Sequence, residues 1–261
     1  MRRLIPIFIF TFAFVGVFLY LNQEPEIKVV DVPEISFDEV VEVVEVKDDT
    51  LTGVDPIDPE EVELVEETPV RASSQFNLAI PWTSQAPNAV WDARDQDACE
   101  EASIYMVHLF FEGVGSGLID SDIADVAIQD LVDGEMKMFG YFESTTAEQT
   151  AELIESYYGY STELIEDPTV EQIKEAILTG HPVVVPVAGQ MLANPYFTPP
   201  GPEYHMLVVK GFTENGFITN DPGTRHGENW LYEYDHFMNS IHDWNEDDIL
   251  SGKKVVIVIQ P

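Results

Sequence analysis

The chain has very little cysteine and little positive charge. It contains one cysteine in 261 residues, so no disulfide can form within it. It also contains 12 Lys and Arg against 48 Asp and Glu, which gives a formal net charge of −36. Because a chain this acidic repels phosphate groups, nucleic acid is excluded as a partner, and anionic lipid headgroups are an unfavourable surface.

The sequence also lacks the residue spacings that hold metals. One cysteine and dispersed histidines give no zinc-ligand spacing. No Asp-x-Asp-x-Asp-Gly pattern indicates a calcium loop. We therefore expect a protein that works without a metal and without any other cofactor.

The one long apolar run lies at the N-terminus, where Arg2 and Arg3 precede Leu4 to Leu21. These 18 residues would span roughly 27 Å as a helix, close to the thickness of a bilayer core. Basic residues before the run and acidic residues after it predict a signal anchor over residues 1–23, with the rest of a single-pass membrane protein extracytoplasmic. A cleaved signal peptide and a secreted protein are the alternative; the missing Ala-x-Ala site favours the anchor.

An acidic stretch follows this run. Residues 24–71 contain 17 Asp and Glu but three Lys and Arg, with scattered prolines and few aromatics. This composition predicts a disordered tether over residues 24–72. Its one strand-like patch, Val40 to Val46, is flanked by acids and is also predicted to be disordered. Residues 73–261 form the predicted folded domain.

The folded domain has a helical first half and a strand-rich second half. Apolar spacings of three and four residues predict helices over Cys99 to Gly113, Ser121 to Leu131, Thr146 to Tyr158 and Thr169 to Leu178. Runs of β-branched residues predict strands over Pro182 to Val187, His205 to Phe212, Gly216 to Thr219 and Lys254 to Ile259. This order predicts an α+β fold, with a site where the two halves meet.

The single cysteine stands at a predicted helix start. Asp97 can cap this helix, with Glu100 three residues on as in a capping box. The unpaired N–H groups and the dipole of the first turn favour a thiolate, so Cys99 is a candidate nucleophile. A small buried hydrophobe is the alternative. The crowded acids, including Asp95 and Glu101, are interpreted as capping residues that also raise the pKa of the thiol.

A histidine and an aspartate lie at the same end of a predicted hairpin. His205 opens one strand, and Thr213 to Gly216 predicts a turn into a second strand that ends just before Asp221. The hairpin should bring the two side chains together. A thiol nucleophile needs such a pair, an imidazole to take its proton and a polar group to orient that imidazole. A structural histidine and a simple Asp-Pro-Gly turn are the alternatives.

Several short segments follow one another in the order glutamine, cysteine, histidine, aspartate. They are Ile80-Pro81-Trp82-Thr83-Ser84-Gln85-Ala86-Pro87, Trp91, Cys99-Glu100-Glu101-Ala102-Ser103, Tyr204-His205-Met206-Leu207-Val208-Val209-Lys210-Gly211 and Asn220-Asp221-Pro222-Gly223. Together they resemble the motifs of papain-fold cysteine peptidases of the bacteriocin-processing, C39-like type. The resemblance covers the folded domain and implies a papain-like fold.

The resemblance also assigns a role to each residue. It implies that Cys99 is the nucleophile, His205 the base and Asp221 the residue that orients the base. It further implies that the Gln85 side chain donates a hydrogen bond to the oxyanion. Gln96 lies closer to the cysteine and is the alternative donor, and Gln85 can serve only if the loop between them folds back.

The predicted function is therefore that of a membrane-tethered, extracytoplasmic cysteine peptidase that cleaves peptide bonds through an acyl-enzyme. Its expected partners are a peptide or protein substrate and, through the anchor, the membrane. Two alternatives remain open. One is a cell-wall peptidoglycan amidase or endopeptidase, and the other is a catalytically silent peptide-binding module of the same fold.

Overall fold

The computed structural model describes residues 29–40 and 74–261. The predicted anchor and most of the predicted tether lie outside these residues. Within the described ranges, no helix is both long and apolar enough to cross a membrane.

Helices make up most of the first half of the domain. Their bounds are α1 (Cys99–Phe111), α2 (Ser121–Met138), α3 (Ala147–Tyr158) and α4 (Val170–Leu178). A further helix, α5 (Tyr234–Ser240), lies in the second half. The four predicted helices are all present, and α2 is longer than predicted. Thr169 and Gln172 form the predicted capping box at the start of α4, and Thr146 and Gln149 form a second one at α3.

One antiparallel sheet forms the other half. Its strands are β1 (Phe76–Asn77), β2 (Ser161–Glu166), β3 (Val183–Ala188), β4 (Tyr204–Phe212), β5 (Gly216–Asn220), β6 (Trp230–Glu233) and β7 (Val255–Gln260). Their order across the sheet is β2-β7-β3-β4-β5-β6, and β1 pairs with β4. Every residue of β3, β4 and β5 is buried, which explains their nearly continuous apolar sequences. Helices and an antiparallel sheet confirm the α+β prediction.

The β4–β5 hairpin is present as predicted. Val208 pairs with Asn220 and Val209 with Thr219, and the register shifts at an irregularity between Val209 and Gly211. Asp221 follows the last residue of β5, so the hairpin returns it toward the start of β4. Two strands not predicted from the sequence, β2 and β6, lie at the two ends of the sheet.

Helix α1 packs directly on β4. Ser103 on the helix donates a hydrogen bond from Oγ to the backbone oxygen of Met206, at 3.4 Å. Cys99 lies one turn before Ser103, and His205 lies next to Met206. This contact between helix and strand therefore brings the cysteine and the histidine to the same end of the interface.

Residues 29–40 pack on the domain, although the sequence predicts them to be part of a disordered tether. The backbone of Ile35 donates to Asn77 and accepts from Ala79, each at 2.8 Å. Phe37 contacts the ring of Phe111 edge-on, with ring centroids 5.2 Å apart. The tether prediction is wrong for this segment, because its apolar side chains find partners on the domain.

A buried lysine also holds this segment. Lys210 on β4 is fully buried, and its ammonium forms an ion pair with Glu34 and donates to Asn229 Oδ1 at 2.9 Å. Burial lowers the pKa of Lys210, and the Glu34 carboxylate acts in the opposite direction. An unpaired ammonium in this position would be costly, so Glu34 gives the segment a charged contact with the sheet in addition to its apolar ones.

Candidate active site

One cleft collects most of the predicted site residues. Its volume is about 1020 Å³, and its lining includes Gln85, Gln96, Cys99 and His205. Asp221 does not line the cleft; it lies against His205 and is fully buried. The structure thus brings together residues that are more than 100 positions apart in sequence.

Cys99 is the first residue of α1, but no side chain caps this helix. The N-cap residue is Ala98, and Asp97 instead ends a short 3-10 helix. The predicted capping box is therefore wrong. Glu100 and Glu101, also interpreted as capping residues, are fully buried. Each of these two carboxyl groups accepts a hydrogen bond from the backbone N–H of its own residue, so they occupy part of the first turn without capping it from the N-cap position.

The thiol of Cys99 is held in its protonated form. The residue is 5% exposed, and Sγ donates a hydrogen bond to Oε2 of Glu100 at 2.9 Å. Burial raises the pKa of the thiol well above its usual value, the charges of Glu100 and Glu101 raise it further, and a backbone hydrogen bond from Met206 opposes them. The predicted effect of the neighbouring acids is borne out for Glu100 and Glu101. Forming a thiolate here requires a group that takes the proton.

His205 and Asp221 form the predicted pair. Nε2 of the ring lies 2.8 Å from Oδ1 of Asp221, and both residues are buried. Burial by itself would raise the pKa of Asp221, but the His205 ring and hydrogen bonds from Tyr232 and Gly223 hold it below its usual value. The pairing directs Nε2 to the carboxylate, which leaves Nδ1 as the ring nitrogen that can exchange a proton with the thiol.

Two residues that the sequence analysis did not identify hold the second oxygen of Asp221. Tyr232 donates its hydroxyl hydrogen to Oδ2 at 2.7 Å, and Asn194 Nδ2 lies 3.3 Å from the same oxygen. Asn194 also donates to the Tyr232 hydroxyl, at 2.9 Å. The carboxylate is therefore fixed from both sides. Tyr232 lies on β6, which pairs with β5, the strand that ends just before Asp221. A prediction of β6 as the neighbour of β5 could therefore have found Tyr232, but the sequence analysis does not predict this strand.

The imidazole is also held by close packing. A Cβ atom on Gly223 would lie 2.8 Å from Cε1 of His205 and 3.0 Å from the ring of Phe197. Phe197 meets the imidazole edge-on, with ring centroids 5.5 Å apart. The glycine of the Asp-Pro-Gly turn is thus needed for the histidine to occupy this position, and the turn serves the site as well as the hairpin.

The loop between Gln85 and Gln96 does fold back. The backbone N–H of Gln85 donates to Pro222 at 3.0 Å, and its side-chain Nε2 donates to the backbone oxygens of Asp95 at 2.9 Å and Gln96 at 3.0 Å. Gln85 is buried at the cleft, whereas Gln96 is exposed and donates to Trp91. The loop thus brings Gln85 to the cleft, but both hydrogens of its amide are donated to backbone oxygens, so its oxyanion role stays a prediction that requires one of these bonds to be released.

We expect Gln85→Ala to lower kcat by about a hundredfold and Gln96→Ala to leave it nearly unchanged. A donor to the oxyanion strengthens its bond only as charge develops on the carbonyl oxygen, so KM should change little. The measurement is steady-state kinetics of both variants on one peptide. Since Gln85 also ties down the loop before Cys99, the melting temperature of each variant is measured and the kinetics are compared at a temperature where both are folded. A larger loss for Gln96→Ala would move the assignment to Gln96.

Among residues 29–40 and 74–261, no group of three or more His, Cys, Asp or Glu side chains is arranged to hold a metal ion. The site residues are a thiol, an imidazole, a carboxylate and an amide. Such a set can carry out proton transfer and nucleophilic attack by itself.

A helical half that carries a cysteine, packed on an antiparallel sheet that carries a paired histidine and aspartate, defines the class of papain-like α+β domains. The sequence comparison narrows this class. Residues 77–248 match the sequence model of the Peptidase_C39 like family, and the chain belongs to that family. Family membership indicates a cysteine peptidase.

One solved structure that is similar to this chain is that of a candidate C39-like peptidase from Bacillus anthracis. It is 15% identical in sequence, with a TM-score of 0.47, and the match covers 72% of this chain and 98% of that one. No curated protein matches the chain in sequence.

Proposed function

We propose that this chain hydrolyses peptide bonds, with Cys99 as the nucleophile, His205 as acid and base, and Asp221 as the residue that orients His205. The observation that carries the proposal is the convergence of Cys99 and the His205–Asp221 pair at one cleft. Family membership supports a cysteine peptidase. The proposal needs no group that the chain does not itself supply.

The first half of the proposed reaction forms the acyl-enzyme. The thiol proton of Cys99 passes to His205, and the sulfur keeps the electron pair and attacks the substrate carbonyl carbon. The carbonyl oxygen takes up the displaced electron pair, and the backbone N–H of Cys99 stabilises its charge together with the Gln85 amide, which releases one of its two backbone acceptors to do so. The C–N bond then breaks, and the leaving amine takes the proton from His205.

The second half regenerates the thiol. A water molecule gives a proton to His205 and attacks the acyl carbon. The thioester C–S bond then breaks, the carboxylic acid product forms, and His205 returns its proton to the departing sulfur. Asp221 accepts a hydrogen bond from Nε2 throughout, so the ring keeps the orientation that both proton transfers need.

The cleft supports a substrate with apolar groups beside the scissile bond. Trp91 lines the cleft and keeps 45% of its surface exposed, and Tyr196 and Phe197 line it as well. Large apolar side chains in a cleft favour contact with a bound ligand. We therefore propose an unfolded peptide segment as the substrate and keep the peptidoglycan stem peptide as the alternative.

The test is to incubate the full chain, in detergent, with a peptide library and separately with purified peptidoglycan. Cleavage of the library, absent with Cys99→Ala, would support the peptidase. Turnover of peptidoglycan alone would transfer the function to the cell-wall alternative. No turnover of either, together with no labelling of Cys99 by a peptide electrophile, would favour the silent binding module.

We also propose that the N-terminal run anchors the chain in the membrane, with the folded domain extracytoplasmic. The proposal rests on Arg2, Arg3 and the apolar residues from Leu4 to Leu21. Protease added to intact cells should release a soluble fragment that contains the domain. Protection of the full chain until the membrane is broken would contradict this topology, and a mature N-terminus near Gln23 would indicate a secreted protein.

A further inference from the structure

A buried carboxyl group contacts the proposed nucleophile. Glu100 is fully buried, and its Oε2 accepts the hydrogen bond from the Cys99 sulfur at 2.9 Å. Its other oxygen, Oε1, accepts from the backbone N–H of Thr145 at 3.1 Å. In the described part of the chain the sulfur makes no hydrogen bond to His205, and the side chain to which the resting thiol donates is the carboxyl of Glu100.

Two more buried acids lie beside this carboxyl. Glu101 on α1 and Glu135 on α2 are fully buried and contact each other. Both carboxyl oxygens of Glu101 and one of Glu135 receive no hydrogen bond from a donor in the described ranges. Two facing carboxyls can bond only if one of them holds a proton. Glu100 therefore lies beside two buried acids, at least one of which holds a proton.

This arrangement limits when the thiolate can exist. With Glu100 ionised, a Cys99 thiolate would face a second negative charge at hydrogen-bond distance in a buried site, which is strongly unfavourable. With Glu100 protonated, the same hydrogen bond can reverse, so that the carboxyl O–H donates to the sulfur. The protonated acid then stabilises the thiolate that the ionised acid would repel.

We propose that Glu100 is a further catalytic residue and that the Cys99 thiolate forms only while Glu100 carries a proton. The inference rests on the proposed function for its catalytic meaning. In the step itself, the S–H bond breaks, its proton passes to His205, and the sulfur keeps the electron pair. Glu100 keeps its own proton and donates it as a hydrogen bond to the sulfur.

The titratable groups around Glu100 place this change near neutral pH. On its own helix it faces Cys99 and Glu101, and on β4 it faces His205 and Tyr204. Glu135 approaches from α2, where its pKa is raised to about 8. The pKa of Glu100 is raised to about 7. Burial is the cause of this increase, and the hydrogen bonds of Glu100 and the charge of the His205 ring oppose it. Rising pH therefore removes the permissive proton from Glu100 around neutrality.

The pH dependence of Cys99 alkylation tests this proposal. Cys99 is the single cysteine of the chain, so the rate of its reaction with iodoacetamide reports on the thiolate alone. For wild type, the logarithm of the rate should rise with pH up to about pH 7 and then flatten, because each further loss of the thiol proton is opposed by ionised Glu100. In Glu100→Gln, it should continue to rise.

The variant is chosen to keep the local hydrogen bonds. The amide oxygen of Glu100→Gln can accept from Thr145, and its N–H₂ group can donate to the thiolate. The ratio of variant to wild-type rate should grow about tenfold between about pH 6 and pH 8, since the protonated fraction of an acid falls about tenfold per pH unit above its pKa. Glu112→Gln is the matched control, because Glu112 is exposed at the other end of α1; it should follow wild type.

Parallel curves for wild type and Glu100→Gln would overturn the proposal. If Glu100→Gln fails to fold, the same measurement is made on His205→Gln, in which no imidazole can produce a plateau: a rate that rises with unit slope through pH 7 and beyond contradicts the proposal, and a plateau supports it. Alkylation needs no substrate and no turnover. A plateau without peptidase activity would keep the link between Glu100 and Cys99 and reject the proposed function.

Discussion

Replacing Cys99 with alanine is expected to abolish peptide hydrolysis, with a loss in kcat/KM of about ten-thousandfold or more. The change removes the sulfur that forms the bond to the substrate carbonyl carbon, and the described residues offer no second thiol. His205 and Asp221 would remain paired but would have no nucleophile to activate. The measurement is steady-state hydrolysis of a peptide found in the library digest.

Cys99→Ser is the matched control for folding. Alanine removes the hydrogen bond that the thiol donates to Glu100, whereas the serine hydroxyl can still donate it. Cys99→Ser should therefore melt close to wild type and yet lose most activity, because a hydroxyl is far harder to ionise than a thiol in this acidic surrounding. Hydrolysis by either variant at the wild-type rate would reject Cys99 as the nucleophile.

The sequence was sufficient to predict the elements that carry the chemistry. The Cys99 helix has a clear start, the hairpin between β4 and β5 has a turn signal, and both follow from local spacing. Because α1 packs on β4, these local predictions also place Cys99 near His205. The order of the motifs, rather than any single one, gave the family.

The environment of the nucleophile could not be predicted in the same way. Acids at a helix start usually lie in water and cap the helix, so the sequence predicts Glu100 and Glu101 to be capping residues. In the structure, most of α1 is buried, including its first turn. Burial of these two acids follows from α2 and the segment near Thr145 closing over the start of α1, which spacing within one helix does not reveal.

Contacts between distant segments were missed for the same reason. Tyr232 contacts Asp221 from β6, and Asn194 contacts it from the loop before β4. No local sequence pattern in either segment indicates a contact with Asp221. Residues 29–40 were assigned to the tether on composition, although a few apolar side chains and Glu34 are enough to dock them. Composition describes a whole stretch and averages over such short segments.

Changes at His205 and Asp221 are expected to have unequal effects. His205→Gln should lower kcat/KM by about a thousandfold, because glutamine can still donate to Asp221 but cannot take a proton from the thiol or return one to the leaving amine. Asp221→Asn should cause a loss at least about tenfold smaller. Its amide oxygen can still accept from His205 and Gly223, so the ring keeps its orientation.

The structure also indicates why Asp221→Asn should not be neutral. Its new N–H₂ group would face Nδ2 of Asn194, and two donors cannot bond to each other. Tyr232 can turn its hydroxyl to accept from the new amide, so one hydrogen bond is kept in altered form and one is lost. Tyr232→Phe removes two hydrogen bonds, the one its hydroxyl donates to Asp221 and the one it accepts from Asn194, so by this count it should melt below Asp221→Asn. The measurement that decides the roles is kcat/KM of His205→Gln and Asp221→Asn on one peptide. Equal losses in kcat/KM would mean that Asp221 does more than orient the imidazole. A mild effect of His205→Gln would reject His205 as the base.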